Sequence, residues 1–281
     1  MNTAYVVFLL FAVVIGTLLF HIWSPWWFTP LASNWSSIDF AILVTFWVTG
    51  FVFLALGGFM VYCVWKYRHQ RNRKAEYKPE DKKLEFILTL ISAIAVVVLL
   101  APGLSVWGDY IKVPKGAVKV EVLSYQWGWN YRLAGEDGVL GTTSIHNISD
   151  ENPYGLDLND PNGKDDLIVQ DADLHLQVGV DVEFLLRSID VLHNFYVPEF
   201  RAKMDMVPGL VTYYWITPTK TGEYEILCAE LCGTGHYAML GTVLVDEEKD
   251  YSNWLAQQIT FENALAQNKI KNKTIQLAEN T

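Results

Sequence analysis

Phe86-Ile87-Leu88-Thr89-Leu90-Ile91-Ser92-Ala93-Ile94-Ala95-Val96-Val97-Val98-Leu99-Leu100-Ala101-Pro102-Gly103-Leu104-Ser105-Val106-Trp107-Gly108 contains no charge, and soon after it Ala117-Val118-Lys119-Val120-Glu121-Val122-Leu123 alternates apolar with charged residues. The first run exceeds the roughly 20 apolar residues that cross a bilayer, so it predicts a transmembrane helix. The second has a period of two and predicts a half-buried strand. Between them the chain passes from a membrane region to a β domain.

Upstream, Phe40 to Trp65 is also uncharged, and Tyr5 to Phe20 forms a third apolar stretch. No Lys or Arg precedes that first stretch, so it is read as a retained span rather than a secretory signal. Three membrane helices are expected. Residues 66–83 hold eight bases (Lys66, Arg68, Arg71, Arg73, Lys74, Lys78, Lys82, Lys83) against three acids (Glu76, Glu80, Asp81), which predicts a cytoplasmic loop. Trp23 to Ile38 has no Lys or Arg and carries Trp23, Trp26, Trp27 and Trp35, the pattern of an outer interfacial belt. Everything after Gly108 is therefore expected outside.

The chain has 281 residues, 51% hydrophobic and 19% charged, with a net charge of −10. Residues 108–281 hold 26 acids and 13 bases, a net of −13, whereas residues 1–107 hold eight bases and five acids, a net of +3. An acidic outer domain repels nucleic acid and attracts a basic partner. Three cysteines are too few for a disulfide scaffold. Cys63, inside the second span, is read as a small apolar residue. His21, His69, His146 and His175 carry no motif.

Beyond the first strand, short β-rich runs occur at Val182–Leu186, Phe195–Val197, Val211–Ile216, Tyr224–Leu227 and Thr242–Val245. Turn residues such as Pro208-Gly209, Pro218 and Gly222 lie among them, which suggests a β-sandwich or Greek-key barrel. Ala134 to Asp173 reads as a long irregular insertion with ten acids and one base, Lys164. Tyr251 to Gln267 reads as a closing helix with Trp254, Leu255, Ile259 and Leu265 as its apolar residues.

Near the end of the strands stands Cys228-Ala229-Glu230-Leu231-Cys232-Gly233-Thr234-Gly235-His236-Tyr237-Ala238-Met239, with His193 upstream in Asp190-Val191-Leu192-His193-Asn194-Phe195. Two thiolates, two imidazoles and a thioether suit copper held for electron transfer. A mononuclear site of that type uses one Cys, so the second thiolate points to a second ion. Structural zinc, a Cys228–Cys232 disulfide, and a cysteine nucleophile with His236 as base are the competing readings.

The segment Cys228–Met239 resembles the binuclear copper (CuA) motif of cytochrome c oxidase subunit II, the electron-accepting subunit of haem-copper oxidases. Ser124-Tyr125-Gln126-Trp127-Gly128-Trp129-Asn130-Tyr131 resembles the family's aromatic strand, Asp190–Pro198 its first-histidine segment, and Lys203-Met204-Asp205-Met206-Val207-Pro208-Gly209 the segment that follows. Together with the helical hairpin, the resemblance covers residues 39–250. It implies a membrane hairpin plus an all-β cupredoxin-like Greek-key sandwich outside the membrane; with the first apolar stretch, unusual for the family, three membrane helices are expected. The implied divisions are a first helix and outer loop (1–38), a transmembrane hairpin (39–108), a CuA domain (109–250) and a C-terminal helix and tail (251–281).

It also implies copper ligation by His193, Cys228, Cys232, His236 and Met239, with Glu230 giving its backbone carbonyl. The Glu230 carboxylate would reach a magnesium or manganese ion shared with the catalytic subunit. Trp127 would be the point where electrons arrive from cytochrome c or another basic donor, and Glu85 would lie near the mouth of a proton pathway. The implied partner is a haem-bearing subunit I that reduces oxygen to water, with the chain in the cell's inner membrane and its C-terminal domain on the periplasmic side. Two departures stand out. No Trp-Thr pair or nearby proline follows Glu85, and Leu210 replaces the arginine usual after Pro208-Gly209. They keep in play a nitric oxide reductase of the same superfamily, and beyond it a membrane-tethered copper-binding protein without a redox partner.

Overall fold

The computed structural model describes residues 3–24, 29–74, 77, 79–149, 152–170 and 172–267. Three helices, α1 (Thr3–Trp23), α2 (Ser36–Lys66) and α3 (Lys82–Tyr110), are each long and apolar enough to cross a membrane. At 1.5 Å per residue, 21 residues span about 31 Å, enough for the hydrocarbon core. α2 and α3 extend past their uncharged cores because polar residues continue the helix into the interface. Asp81 caps α3 by accepting the Leu84 N–H at 3.1 Å.

The helices form one compact unit, and residues 29–36 with residues 108 onward form the other. The second unit is a two-sheet β-sandwich. Its strands are β1 (Val118–Tyr125), β2 (Gly128–Leu133), β3 (Leu167–Gln170), β4 (Leu174–Gln177), β5 (Val182–Ser188), β6 (His193–Val197), β7 (Ala202–Met206), β8 (Thr212–Ile216), β9 (Gly222–Cys228), β10 (Leu240–Asp246) and β11 (Ile259–Thr260). One sheet runs β11-β3-β2-β1-β5-β8 and the other β4-β10-β9-β6-β7. Helix α4 (Glu248–Leu255) lies between β10 and β11 in the chain, its Trp254 stacked on His175 at 4.5 Å. The expected architecture, membrane helices followed by an all-β sandwich, is present.

Four sequence expectations are corrected. Trp35 does not belong to a membrane belt: it is 3% exposed, and its indole N–H donates to Trp215 O at 2.9 Å within the β unit. Residues 29–36 are held there as an added edge, with Thr219 N–H donating to Ala32 O at 2.8 Å. Trp26 and Trp27 lie outside the described residues.

β1 is not half-buried, because Val120 through Ser124 are all buried. Glu121 survives inside because Arg132 and Arg187 both donate to its carboxylate. The insertion is not simply irregular, since it supplies β3 and sends Tyr154 and Leu156 into a core cluster with Leu123 and Phe261. That cluster covers the second face of β1. Finally, the closing helix is broken: α4 ends at Leu255, Ile259 pairs with Ile168 as strand, and residues 261–267 turn helical again.

Candidate metal centre

β6 lies between β7 and β9, with Phe195 opposite Cys228 and His193 opposite Met206. This register carries His193, at the start of β6, to the side of Cys228, at the end of β9. β9 and β10 form an antiparallel pair in which Leu227 faces Leu240, so residues 229–239 return the chain as one closed loop. The Cys228 N–H donates to Met239 O at 3.3 Å across its neck. Side chains at both ends of the loop and along it therefore converge.

The Cys228 and Cys232 sulfurs lie 3.7 Å apart. Both thiols are free and buried. A disulfide needs about 2.0 Å, so the pair is not bonded. Each sulfur has its own imidazole: Cys228 Sγ is 3.8 Å from His193 Nδ1, and Cys232 Sγ is 3.6 Å from His236 Nδ1. Met239 Sδ lies 3.8 Å from Cys232 Sγ, and the Glu230 carbonyl oxygen 3.2 Å from Cys228 Sγ. Ligand atoms of His193, Cys228 and Cys232 all fall within 4.8 Å of one another. All six residues expected as ligands from sequence are thus brought to one place, arranged about the two sulfurs.

Burial, and then the neighbouring Cys228 thiol, push the Cys232 thiol up to about 11. Two buried thiolates this close repel each other and lack hydration, so a cation is needed to hold both in the anionic form. The donors are soft or borderline and dry, which fits copper. A cysteine nucleophile would need the opposite, a thiol of lowered pKa.

Two supporting features were not assigned from sequence. Asp190 Oδ1 accepts from His193 Nε2 at 2.9 Å, and its carboxylate also receives the Val191 and Gln126 N–H groups at 2.6 Å each. Burial works against the charge, but the bonds from His193, Val191 and Gln126 hold Asp190 below the usual carboxylate range. The signal was the i,i+3 spacing of Asp190 and His193. The other feature is the pair of glycines in the loop. A Cβ on Gly235 would lie 2.4 Å from Trp127 Cδ2, and one on Gly233, whose φ is +122°, would lie 2.9 Å from Gln126 Nε2. Gln126 Nε2 in turn donates to Cys232 O at 2.7 Å. Trp127 is thereby laid directly on the ligand loop while remaining 43% exposed. Glu85 lies in the first turn of α3, in the helical unit.

The family described as "Cytochrome C oxidase subunit II, periplasmic domain" matches residues 118–246. A protein of Bradyrhizobium diazoefficiens named alternative cytochrome c oxidase subunit 2 is 53% identical over 265 residues, 94% of this chain and 96% of its own. This chain belongs to the cytochrome c oxidase subunit II family. Cytochrome c oxidase subunit 2 of Cereibacter sphaeroides is 27% identical over 226 residues, 75% of each chain. Among solved structures, the periplasmic domain of subunit II of cytochrome oxidase from Bradyrhizobium japonicum aligns at 24% identity with a TM-score of 0.38, over 52% of this chain and 95% of that one. As a subunit II, the protein is part of an oxidoreductase complex, with membrane-capable helices and an outer β domain.

Proposed function

We propose that this subunit II holds a binuclear copper centre and passes single electrons from a soluble or tethered cytochrome c to haem in a separate catalytic subunit that reduces oxygen to water. The observation that carries the reading is the pairing of two buried sulfurs 3.7 Å apart, each with a different imidazole at 3.6–3.8 Å. A single tetrahedral zinc would draw both imidazoles to one point, whereas here they serve opposite sulfurs, and Met239 has a place beside one of them. When two copper ions are bound, they supply a one-electron couple whose charge is shared between them.

The chain's own residues do the rest. Cys228, Cys232, His193 and His236 would hold the ions, with Met239 and the Glu230 carbonyl as weaker donors. Asp190 keeps the proton of His193 on Nε2 and turns Nδ1 toward the sulfurs. Trp127 offers an exposed ring to the donor and a buried edge to the ligand loop. The Glu230 carboxylate is assigned to a magnesium or manganese ion shared with the haem subunit, and Glu85 to the mouth of a proton pathway. Three membrane-capable helices support a location in the inner membrane, with the β unit on its periplasmic side.

Metal analysis of the purified complex is expected to find two coppers per chain and a mixed-valence electron paramagnetic resonance signal, lost in Cys228→Ser and in Cys232→Ser. A normal two-copper spectrum in either variant would overturn the ligand assignment. Turnover then separates the acceptors: rapid nitric oxide consumption with negligible oxygen uptake would move the protein to the reductase branch while leaving the copper centre in place.

A further inference from the structure

In the helical unit, α1 packs along α2. A Cβ on Gly57 would lie 2.8 Å from Val14 Cγ2, and the His21 and Phe46 rings stand 5.6 Å apart. Toward the basic end this contact opens into a cavity of about 610 Å³, lined by Thr3, Ala4, Val7, Phe8 and Phe11 of α1 with Trp65 and Arg68 at the end of α2. The walls are apolar and the rim is cationic. The Arg68 guanidinium stands 5.8 Å from the Trp65 ring, and residues 66–74 contain five bases and no acid.

We infer that this groove binds an anionic phospholipid, with its phosphate on Arg68 and the upper part of an acyl chain between α1 and α2. Charge complementarity selects the occupant. The groove is open along one side, as an acyl chain lying against two helices requires. Val7, Phe8 and Phe11 offer no hydrogen bonds to a free phosphate or a soluble anion, and they match a hydrocarbon chain. A neutral transmembrane helix of a partner would leave Arg68 unneutralised at the membrane surface, whereas a lipid headgroup supplies the anion at the depth where α2 emerges. Clusters of Lys and Arg just cytoplasmic of a membrane helix attract anionic headgroups in this way. Trp65 sets the depth, because its amphipathic ring favours the interfacial layer. α1 thus forms one wall of a lipid site.

The test uses the full chain in its membrane complex, transferred to nanodiscs of phosphatidylglycerol or phosphatidylcholine, with retained lipid counted by native mass spectrometry. The parent is expected to keep phosphatidylglycerol in preference to phosphatidylcholine. Arg68→Gln is expected to lower phosphatidylglycerol retention roughly fivefold and leave phosphatidylcholine unchanged. Val7→Trp, which fills the groove, is expected to lower both. Arg73 lies outside the lining, and its guanidinium donates to Lys66 O at 3.4 Å, so Arg73→Gln is expected to behave as the parent. Equal retention of the two lipids by the parent would overturn the inference. So would unchanged retention in Arg68→Gln, or an equal loss in Arg73→Gln, which would show only a diffuse basic surface. If Val7→Trp fails to assemble, the two arginine variants still decide. None of these outcomes bears on the copper reading, whose test is spectroscopic.

Discussion

His193 is held from both sides, with Nδ1 lying 3.8 Å from Cys228 Sγ and Nε2 bonded to Asp190 Oδ1 at 2.9 Å. A neutral ring with its proton on Nε2 satisfies both contacts, and the carboxylate raises the donor strength of the opposite nitrogen. Asp190→Ala is therefore expected to weaken copper binding by roughly 10- to 100-fold, with Asp190→Asn intermediate, as measured by competition with a copper chelator. Equal affinity in all three proteins would remove Asp190 from the site. At this scale the proposed ligands were legible because their residue types and spacing state the chemistry directly. Gly233 and Gly235 were not, because the need for a missing side chain appears only when Trp127 is laid across the loop.

The insertion behaves as an element of the core rather than as an appendage. Arg132 on β2 is the rivet: it donates to Glu121, Asp166 and the Gly141 carbonyl, joining β1 to both ends of the insertion. Burial works against its charge, but Glu121 and then Asp166 outweigh that and hold the guanidinium above its ordinary pKa. Removing one partner from a buried ionic network leaves the others uncompensated. Arg132→Met is thus expected to destabilise the β unit by about 3–5 kcal/mol, read from the thermal transition of the intact chain in detergent.

Asp160 closes the insertion more locally. It accepts from the Thr142 hydroxyl, from Thr142 N–H at 2.8 Å and from Asn162 N–H at 3.1 Å, and these bonds hold its carboxyl below the ordinary 3.8. A carboxylate lowered by folding stabilises the fold fully above its unfolded pKa, and that contribution disappears as pH falls through the folded value. Amide exchange at Thr142 and Asn162 should therefore be slower in the parent than in Asp160→Asn at neutral pH, and the two should converge below pH 3.8. A gap that persists in acid would show that shape, not charge, closes the loop. Period-two patterning could not have revealed this element, because its order comes from partners distant in sequence.

Across the whole molecule, charge is divided by side, with a net of −13 over residues 108–281 and +3 over residues 1–107. Exposed acids of the insertion, Glu136 and Asp173 among them, add to the outer negative field. Replacing both with their amides is expected to slow reduction by a basic cytochrome c roughly two- to fivefold at low salt. The difference should vanish at high ionic strength, where the Debye length shrinks to a few ångströms. Stopped-flow rates across a salt series check this, and parallel rates at every salt would place the docking field elsewhere.

The amino-acid sequence alone determined three membrane-capable spans, a β-rich outer domain and the set of residues expected as metal donors. Each of these depends on composition, short-range period or residue chemistry. The tertiary structure decided that residues 29–36, with Trp35, belong to the β unit, that the acidic insertion seals the second face of β1, and that Asp190 and two glycines complete the ligand site. Those outcomes rest on contacts between distant segments, where buried charge finds its partner or a ring finds room, and no local pattern encodes them.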